Sequence, residues 1–528
     1  MAKRDNDQDY KWWVLVIVMI GSFMSVLDSS GMNIALPHFM VAFGINMEQV
    51  EWISTVYMLA FAVFILFSTW MKTLIGLKQT FLLGLSFFVV GSFLCSFAWS
   101  LDSLISFRVI QAIGAGAITP ISVTMLSEVF PKEERGFALG MWGAGTTVAP
   151  AVGPMMFGYI IDHVGWRALF YINIPIGMLT LFWAITVLRP SKGDFKLYKN
   201  FDYIGFITFS VFISSLMIAL QKGQEKGWTS GYITSLFAAS YFSFLIFVMT
   251  EFIVRHPIMD LSIFKNYNFT LSNIMQLTRS VALIGSVFLM SMFFQNLMNY
   301  SATLTGMMLI PQALALTVSM PIAGKISDRL GAKRPLLFGT LLTAFSLYYF
   351  SSLSIFSSSG FIVMGMIMRG CGISFIMAPL TISAINALDP EQVNLGSGIL
   401  NLLLRIGSSF SIAIMGVIVQ NRTDFHLSNY TGNIVYNSSS WYEALNKVKG
   451  YALSKGVSFY NARIAGKGIF IGYYLKRWAN VNAYDDAFFI SALFVLASTV
   501  PTLMLKNIIY KKSTQGKDAT EAATTEPE

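Results

Sequence analysis

Uninterrupted apolar runs of about twenty residues recur from one end of this 528-residue chain to the other. Nothing constrains its fold more. A helix of that length rises about 30 Å, the thickness of a bilayer's hydrocarbon core. Fourteen runs can be drawn: 12–36, 50–70, 79–98, 103–125, 137–161, 167–188, 203–221, 231–253, 270–296, 304–324, 335–355, 359–382, 397–420 and 484–506. Charged residues are only 12% of the chain, about half the share in a soluble protein. The expectation is an all-α polytopic membrane protein. The first run is too long for a cleavable signal and leads straight into further spans. Cys95 and Cys371 both fall in apolar runs, so no disulfide framework is expected.

An even number of spans puts both termini on one side. With the N-terminus inside, cytoplasmic segments hold 21 Lys and Arg, whereas the short outer loops hold Lys222 and Lys226, with Arg167 at a span edge. That is the positive-inside pattern. The net charge of +9 therefore belongs mainly to loops and does not imply nucleic acid. The long outer segment 421–483 carries about +6 and mixes polar stretches with Tyr442, Leu445, Val448, Ile464, Ile469, Phe470 and Trp478. It reads as short amphipathic helices. The tail 513–528 is polar and expected to be disordered. No phosphate-binding loop is present, so ATP is not the expected energy source. His38, His163, His256 and His426 lack ligand spacing, and neither a metal nor a cofactor is expected.

Asp28 is the one carboxylate that cannot avoid the interior of a span. A charge at mid-bilayer costs about 2.5–3.5 kcal/mol on insertion scales, which makes it a functional candidate. The fourth run carries Arg108 and Gln111 one turn apart, followed by Gly114, Gly116 and Pro120. Arg108 either faces the protein interior or snorkels outward. Counted from the outer ends of their runs, Asp28 and Arg108 lie about 12 and 8 Å deep on the same side. Arg279, Arg369 and Arg405 also fall within runs. They either form a cavity that attracts acidic groups or pair with carbonyls, helix ends and lipid headgroups. Asn33, Tyr57, Gln276, Gln295 and Asn296 are further cavity candidates, and Met275, Met290, Met292, Met298, Met307 and Met308 add soft surface nearby.

The strongest motif is the loop Gly324-Lys325-Ile326-Ser327-Asp328-Arg329-Leu330-Gly331-Ala332-Lys333-Arg334. It resembles the signature loop of the major facilitator superfamily, a latch that must break for alternating access. A basic loop that merely sets topology would explain Lys333 and Arg334 but not the Gly/Asp spacing. The counterpart after the second run keeps Gly76 and Lys78 but has Thr73 in place of the acid. The fifth run repeats Gly145, Ala149 and Gly153 every four residues, with Pro150, Pro154 and Gly158. It reads as a helix-packing face and is similar to the antiporter motif of that superfamily. It departs from that motif at Ala149 and Phe157, where glycines are usual.

The stretches Leu27-Asp28 to Ala35-Leu36-Pro37, 165–177, 257–264 and 268–270 resemble the fourteen-span drug:proton antiporters of the EmrB/QacA type, with the long outer loop nearest the EmrB branch. Ser30-Gly31-Met32 departs from the usual Thr-Ile-Val. The resemblance implies two six-helix bundles, 1–190 and 266–506, the second including the outer loop 421–483. A two-span linker at 191–265 joins them, and a cytoplasmic tail follows at 507–528. It implies Asp28 and Arg108 as the proton-coupling pair, and proton-driven efflux of amphipathic small molecules across a bacterial inner membrane. It further implies a periplasmic adaptor (membrane fusion protein) and an outer-membrane channel as partners. Export of a specific metabolite, siderophore or lipid precursor, or symport on the same fold, is the alternative. The outer loop either docks the adaptor or caps the exit.

Overall fold

The computed structural model describes residues 2–191, 193–194, 201–255, 257–432, 439–454 and 475–507, and among these it is helical throughout, without strands. The tail 513–528, His256, Ile464, Ile469 and Phe470 lie outside the described residues. Twelve helices are long and apolar enough to cross a membrane. Two more, Arg135–Val164 and Lys333–Phe350, fill the places of the fifth and eleventh apolar runs.

The first half comprises α1 (Ala2–Phe43), α2 (Met47–Ile75), α3 (Leu77–Ser96), α4 (Leu101–Val129), α5 (Arg135–Val164), the short α6 (Ala168–Tyr171) and α7 (Asn173–Val187). Next come α8 (Tyr203–Lys226) and α9 (Gly231–Ile253), which pack on each other. The second half comprises α10 (Tyr267–Ser280), a π turn (Val281–Gly285), α11 (Ser286–Asn296), α12 (Ala302–Leu330), α13 (Lys333–Phe350) and α14 (Ser359–Asn386). It continues through α15 (Val393–Gly432), α16 (Ser439–Ser454), α17 (Lys476–Ala497) and α18 (Thr499–Met504). Helices α15 and α17 overrun the apolar runs, so the segment between them is shorter than 421–483.

Local chemistry sets the breaks. Asn46 and Gln49 form a reciprocal capping box that starts α2, and Ser100 with Ser103 does the same for α4. The turns after α2 and α12 need a positive φ, which Gly76 (89°) and Gly331 (77°) supply. Two residues on, the same device recurs in both halves. Lys78 Nζ donates to Leu188 O at 2.5 Å past the end of α7, and Lys333 Nζ donates to Leu503 O at 2.5 Å in α18. A cation at a helix C-terminus is favoured by the exposed carbonyls there.

In lipid, apolar burial gives helices little reason to associate, so close backbone contact and interhelical hydrogen bonds carry more of the packing. Helix α5 shows this. Gly136 lies against Gly324, and a Cβ at Gly140 would approach Met320 O to 2.8 Å, so one glycine face seats α5 on α12. Gly145, Ala149 and Gly153 form a second face toward α1: Cβ atoms at Gly145 and Gly153 would meet Met19 and Ser30, and Ser30 Oγ donates to Ala149 O at 3.4 Å. Gly158 has open space and belongs to neither contact. The two departures at Phe157 and Gly31 fit each other: a Cβ at Gly31 would land within the Phe157 ring.

Candidate functional site

Asp28 and Arg108 are in contact, both almost wholly buried inside the first half. Arg108 Nη1 donates to Asp28 Oδ2 at 2.5 Å. Gln111 Nε2 donates to Asp28 Oδ1 at 2.9 Å, as does Asn173 Nδ2 at 3.0 Å. Arg108 also donates to Gln111 Oε1 at 2.6 Å, and Gln111 donates to Ser92 Oγ at 2.8 Å. The guanidinium lies 4.0 Å from the centre of the Tyr57 ring. A buried ion pair needs its remaining lone pairs and protons met; here both Asp28 oxygens are met, while Arg108 Nε and Asn173 Oδ1 have no partner among the described residues. Helix α4 delivers the arginine and glutamine, α3 the serine, and the interruption between α6 and α7 at Ile172 places Asn173 at a helix start facing the carboxylate. Gly91 allows this, because a Cβ there would strike the backbone of Gln111 at 2.5 Å.

Asn173 and Ser92 were not picked out from the sequence. Asn173 sits inside the 165–177 stretch that carries the family resemblance, and that was the available signal. Asp28 is also not the sole buried acid. Glu251, in the last turn of α9, is 6% exposed and accepts from Met259 N at 3.1 Å.

A cavity of about 350 Å³ lies between the two halves. Helix α1 presents Ser29 and Ser30 to it, while Asp28 and Arg108 do not line it. Gln276, Arg279, Arg405 and Pro150 do line it. Arg279 Nη1 donates to Gln276 Oε1 at 3.0 Å, and Gln276 donates to Leu400 O at 3.0 Å. Arg405 lies 4.4 Å from the centre of the Phe61 ring.

Other candidates lie elsewhere. Arg369 is fully buried behind the wall, donating to Gln312 Oε1 at 2.8 Å and Leu283 O at 3.2 Å. Gln111 and Tyr57 belong to the Asp28 cluster and not to the cavity. Gln295 and Asn296 are exposed at the end of α11 and do not reach it. They stand 19 and 20 residues beyond Gln276, about 28–30 Å along the helix axis, and the lining from this segment ends at Ile284. Asn33 is on α1, and its side chain lies outside the described residues. The methionines on the wall are Met58, Met320 and Met377; Met275, Met290, Met292, Met298, Met307 and Met308 do not line it.

At the basic end of the bundle the halves are tied. Asp328 accepts from the backbone N–H of Gly136 and of Phe137, both at 2.9 Å. A carboxylate at the first turn of a helix meets unpaired N–H groups and the positive end of the dipole. The counterpart tie is neutral: Asn394 Nδ2 donates to Thr69 O at 3.4 Å, Thr124 Oγ1 donates to Asn394 Oδ1 at 3.0 Å, and Ser397 Oγ donates to Pro120 O at 3.0 Å. Arg329 and Arg334 are exposed, with no ion pair among the described residues. Farther along, α5 and α12 part around a cleft of about 460 Å³ lined by Val148, Val152, Ile310 and Leu314.

Residues 18–412 match the model of the Major Facilitator Superfamily. The chain belongs to that superfamily. Among this facilitator's relatives is the riboflavin transporter RibZ of Clostridioides difficile, 32% identical over 82% of this chain and 94% of that protein. The multidrug export protein EmrB of Escherichia coli is 28% identical over 79% and 82%. In fold, the facilitator resembles the human organic anion transporter MFSD10 (TETRAN), with a TM-score of 0.53 and 10% identity over 92% of this chain and 99% of that one. It is a multi-pass membrane transporter of the family that includes drug:proton antiporters.

Proposed function

We propose that this facilitator exports amphipathic small molecules in exchange for protons, by alternating access. The observation that carries the reading is Asp28. It is the acid most deeply enclosed by polar partners, and it is held to α4 by Arg108 and to α7 by Asn173. A proton on Asp28 removes the charge that binds these helices to α1. Because Ser29 and Ser30 of α1 face the cavity, a shift of α1 changes the cargo surface directly. The proton and the cargo then act on opposite faces of one helix. Arg108 and Asn173 hold the Asp28 carboxylate in place until the cluster loosens, and the glycine face of α5 gives α1 a smooth surface to move on.

In this proposal the basic end is cytoplasmic, both termini are inside a bacterial inner membrane, and the fourteen spans divide as two six-span bundles with α8 and α9 as linker. The Asp328 tie and the gap between α5 and α12 then correspond to a form open toward the outside. The polar segment from the end of α15 to α17 is the proposed dock for a periplasmic adaptor leading to an outer-membrane channel. Deleting residues 439–454 should lower cellular resistance while leaving efflux into the periplasm; loss of both, or of neither, would refute docking.

The coupling itself is tested with the purified chain in liposomes. A pH gradient of one unit supplies about 1.4 kcal/mol per proton. Imposing it should drive dye accumulation, and nigericin should abolish the drive. Accumulation that is indifferent to nigericin would overturn the reading. The resemblance to RibZ favours one second reading, a carrier for a defined metabolite, which a vesicle screen showing one substrate class and no dyes would select.

A further inference from the structure

The cavity wall is charged on one side only. Arg279 and Arg405 both reach it, and no Asp or Glu among the described residues does. The one nearby acid on α1, Asp28, is turned away and already paired with Arg108. Arg279 is 7% exposed, and its Nε has no hydrogen-bond partner. One face of Arg405 is covered by Phe61, and no carboxylate among the described residues pairs with it. The two stand level with each other on neighbouring helices, because Ser280 Oγ reaches Leu404 O at 3.5 Å and Gly407 packs on Ser280. Two guanidinium groups held without a counter-ion in a low-dielectric site are costly unless a negative group joins them.

We propose that Arg279 and Arg405 form the anion-binding end of the cargo site, and that the preferred cargo is a small amphipathic monoanion bearing a carboxylate. This rests on the export reading and narrows its substrate class. The planar fork of arginine suits a carboxylate, which it can bind through two parallel hydrogen bonds. Trp142, Met58, Met320 and Met377 supply the apolar wall for the body of the molecule. About 350 Å³ fits a drug-sized ligand. Hydroxyls from Ser29, Ser30 and Thr147 on the opposite wall accept or donate to neutral polar groups but cannot stabilise a cation as a carboxylate would.

The test uses equilibrium binding to the full chain in phosphatidylcholine nanodiscs, where no proton gradient exists. A failure of proton coupling therefore leaves it unaffected. Three fluorescent probes share one apolar body: dansylglycine, dansylglycinamide and dansylcholine. Dansylglycine should bind about tenfold more tightly than the other two. Arg279→Gln and Arg405→Gln should each bring that ratio down about three- to fivefold, and the double variant should bring it near one. Arg279→Lys should retain part of the preference. Equal binding of the three probes, preference for dansylcholine, no binding of any, or a ratio unmoved by both Gln variants would each overturn the proposal. Adding phosphatidylglycerol to the nanodiscs separates the sources of negative charge. Unchanged dansylglycine affinity supports a soluble anion, while competitive displacement assigns the pair to lipid headgroups and overturns the small-molecule form.

Discussion

The loops after α2 and α12 share a backbone plan although most of their residues differ. Each has a glycine turn with positive φ, and each has a lysine two positions later that caps the last helix of its own half. Three residues before the glycine, the second half has Asp328 and the first has Thr73. Asp328 reaches across to the start of α5, whereas the Thr73 hydroxyl turns back to Trp70 O at 2.7 Å in its own helix. The halves differ in the opposite sense in their cores. The first buries an acid with its arginine, and the second buries Arg279 and Arg369 with amides and carbonyls alone. Each half thus places one acid where the other has none: one at the core, one at the rim. A charge at the rim can lock two halves together, while a charge in the core can bind and release a proton.

Asp28→Asn makes the first core resemble the second, and it should have the largest effect. Proton-driven transport should fall at least about a hundredfold, since in the proposed mechanism Asp28 is the group that takes the proton. Removing one partner of a buried pair typically costs about 3–5 kcal/mol, so the melting temperature should also drop. Asp28→Asn with Arg108→Gln should regain most of that stability but none of the transport. Thermal melting and proteoliposome flux, measured on the same preparations, check both halves of the claim. Recovered transport in the double variant would remove Asp28 from the coupling role.

Gly31→Ile comes next. It restores the usual residue on α1 but drives a side chain into Phe157. Overpacking commonly costs about 1–3 kcal/mol and more where the neighbour cannot move. The variant should melt several degrees lower and transport poorly. Adding Phe157→Gly should recover most of both, because the two departures fill each other's space. Failure of that rescue in a melting assay would show the pairing to be incidental.

Asp328→Asn breaks the rim lock. Hydrogen bonds to a charged acceptor contribute about 1.5–3 kcal/mol against about 0.5–1.5 for neutral ones. Losing that difference should shift the balance between forms by about tenfold. Spin labels on α5 and α12 near Gly136 and Gly324 should report a larger share of separated helices, with flux reduced up to about tenfold. Unchanged distance distributions would mean that the glycine contact alone holds this end.

The spans were legible because a bilayer leaves few alternatives to an apolar run, and Asp28 because a charge there is expensive. The glycines of α5 were legible as packing surface, although the sequence did not reveal that they divide into one face for α12 and another for α1. Asn173 was not legible: a single asparagine at a helix start reads as a cap. Gln295 and Asn296 misled for a geometric reason. Composition marks a polar residue in an apolar run but not how deep the cavity reaches, and both residues lie at the far end of α11, beyond the lining that stops at Ile284. Three cations within apolar runs look equivalent in sequence. Only packing separates Arg279 and Arg405, on the cavity, from Arg369, behind it.

Thr73→Asp is the smallest and most direct test of the rim comparison, because it gives the first half the acid it lacks. The position has the same spacing to Gly76 that Asp328 has to Gly331, and α15 begins nearby, where Asn394 already meets Thr69. Thr73 is exposed, so the added charge is partly screened and contributes about 0.3–1 kcal/mol at a helix N-terminus. That should favour the form closed at the basic end and slow transport about two- to fivefold, less at high salt. In an Asp328→Asn background the same change should instead restore part of the lost closure, since the two ties then act on one equilibrium. Additive slowing in both backgrounds, read from flux and from α2–α15 spin-label distances, would mean that the two rims do not govern the same motion.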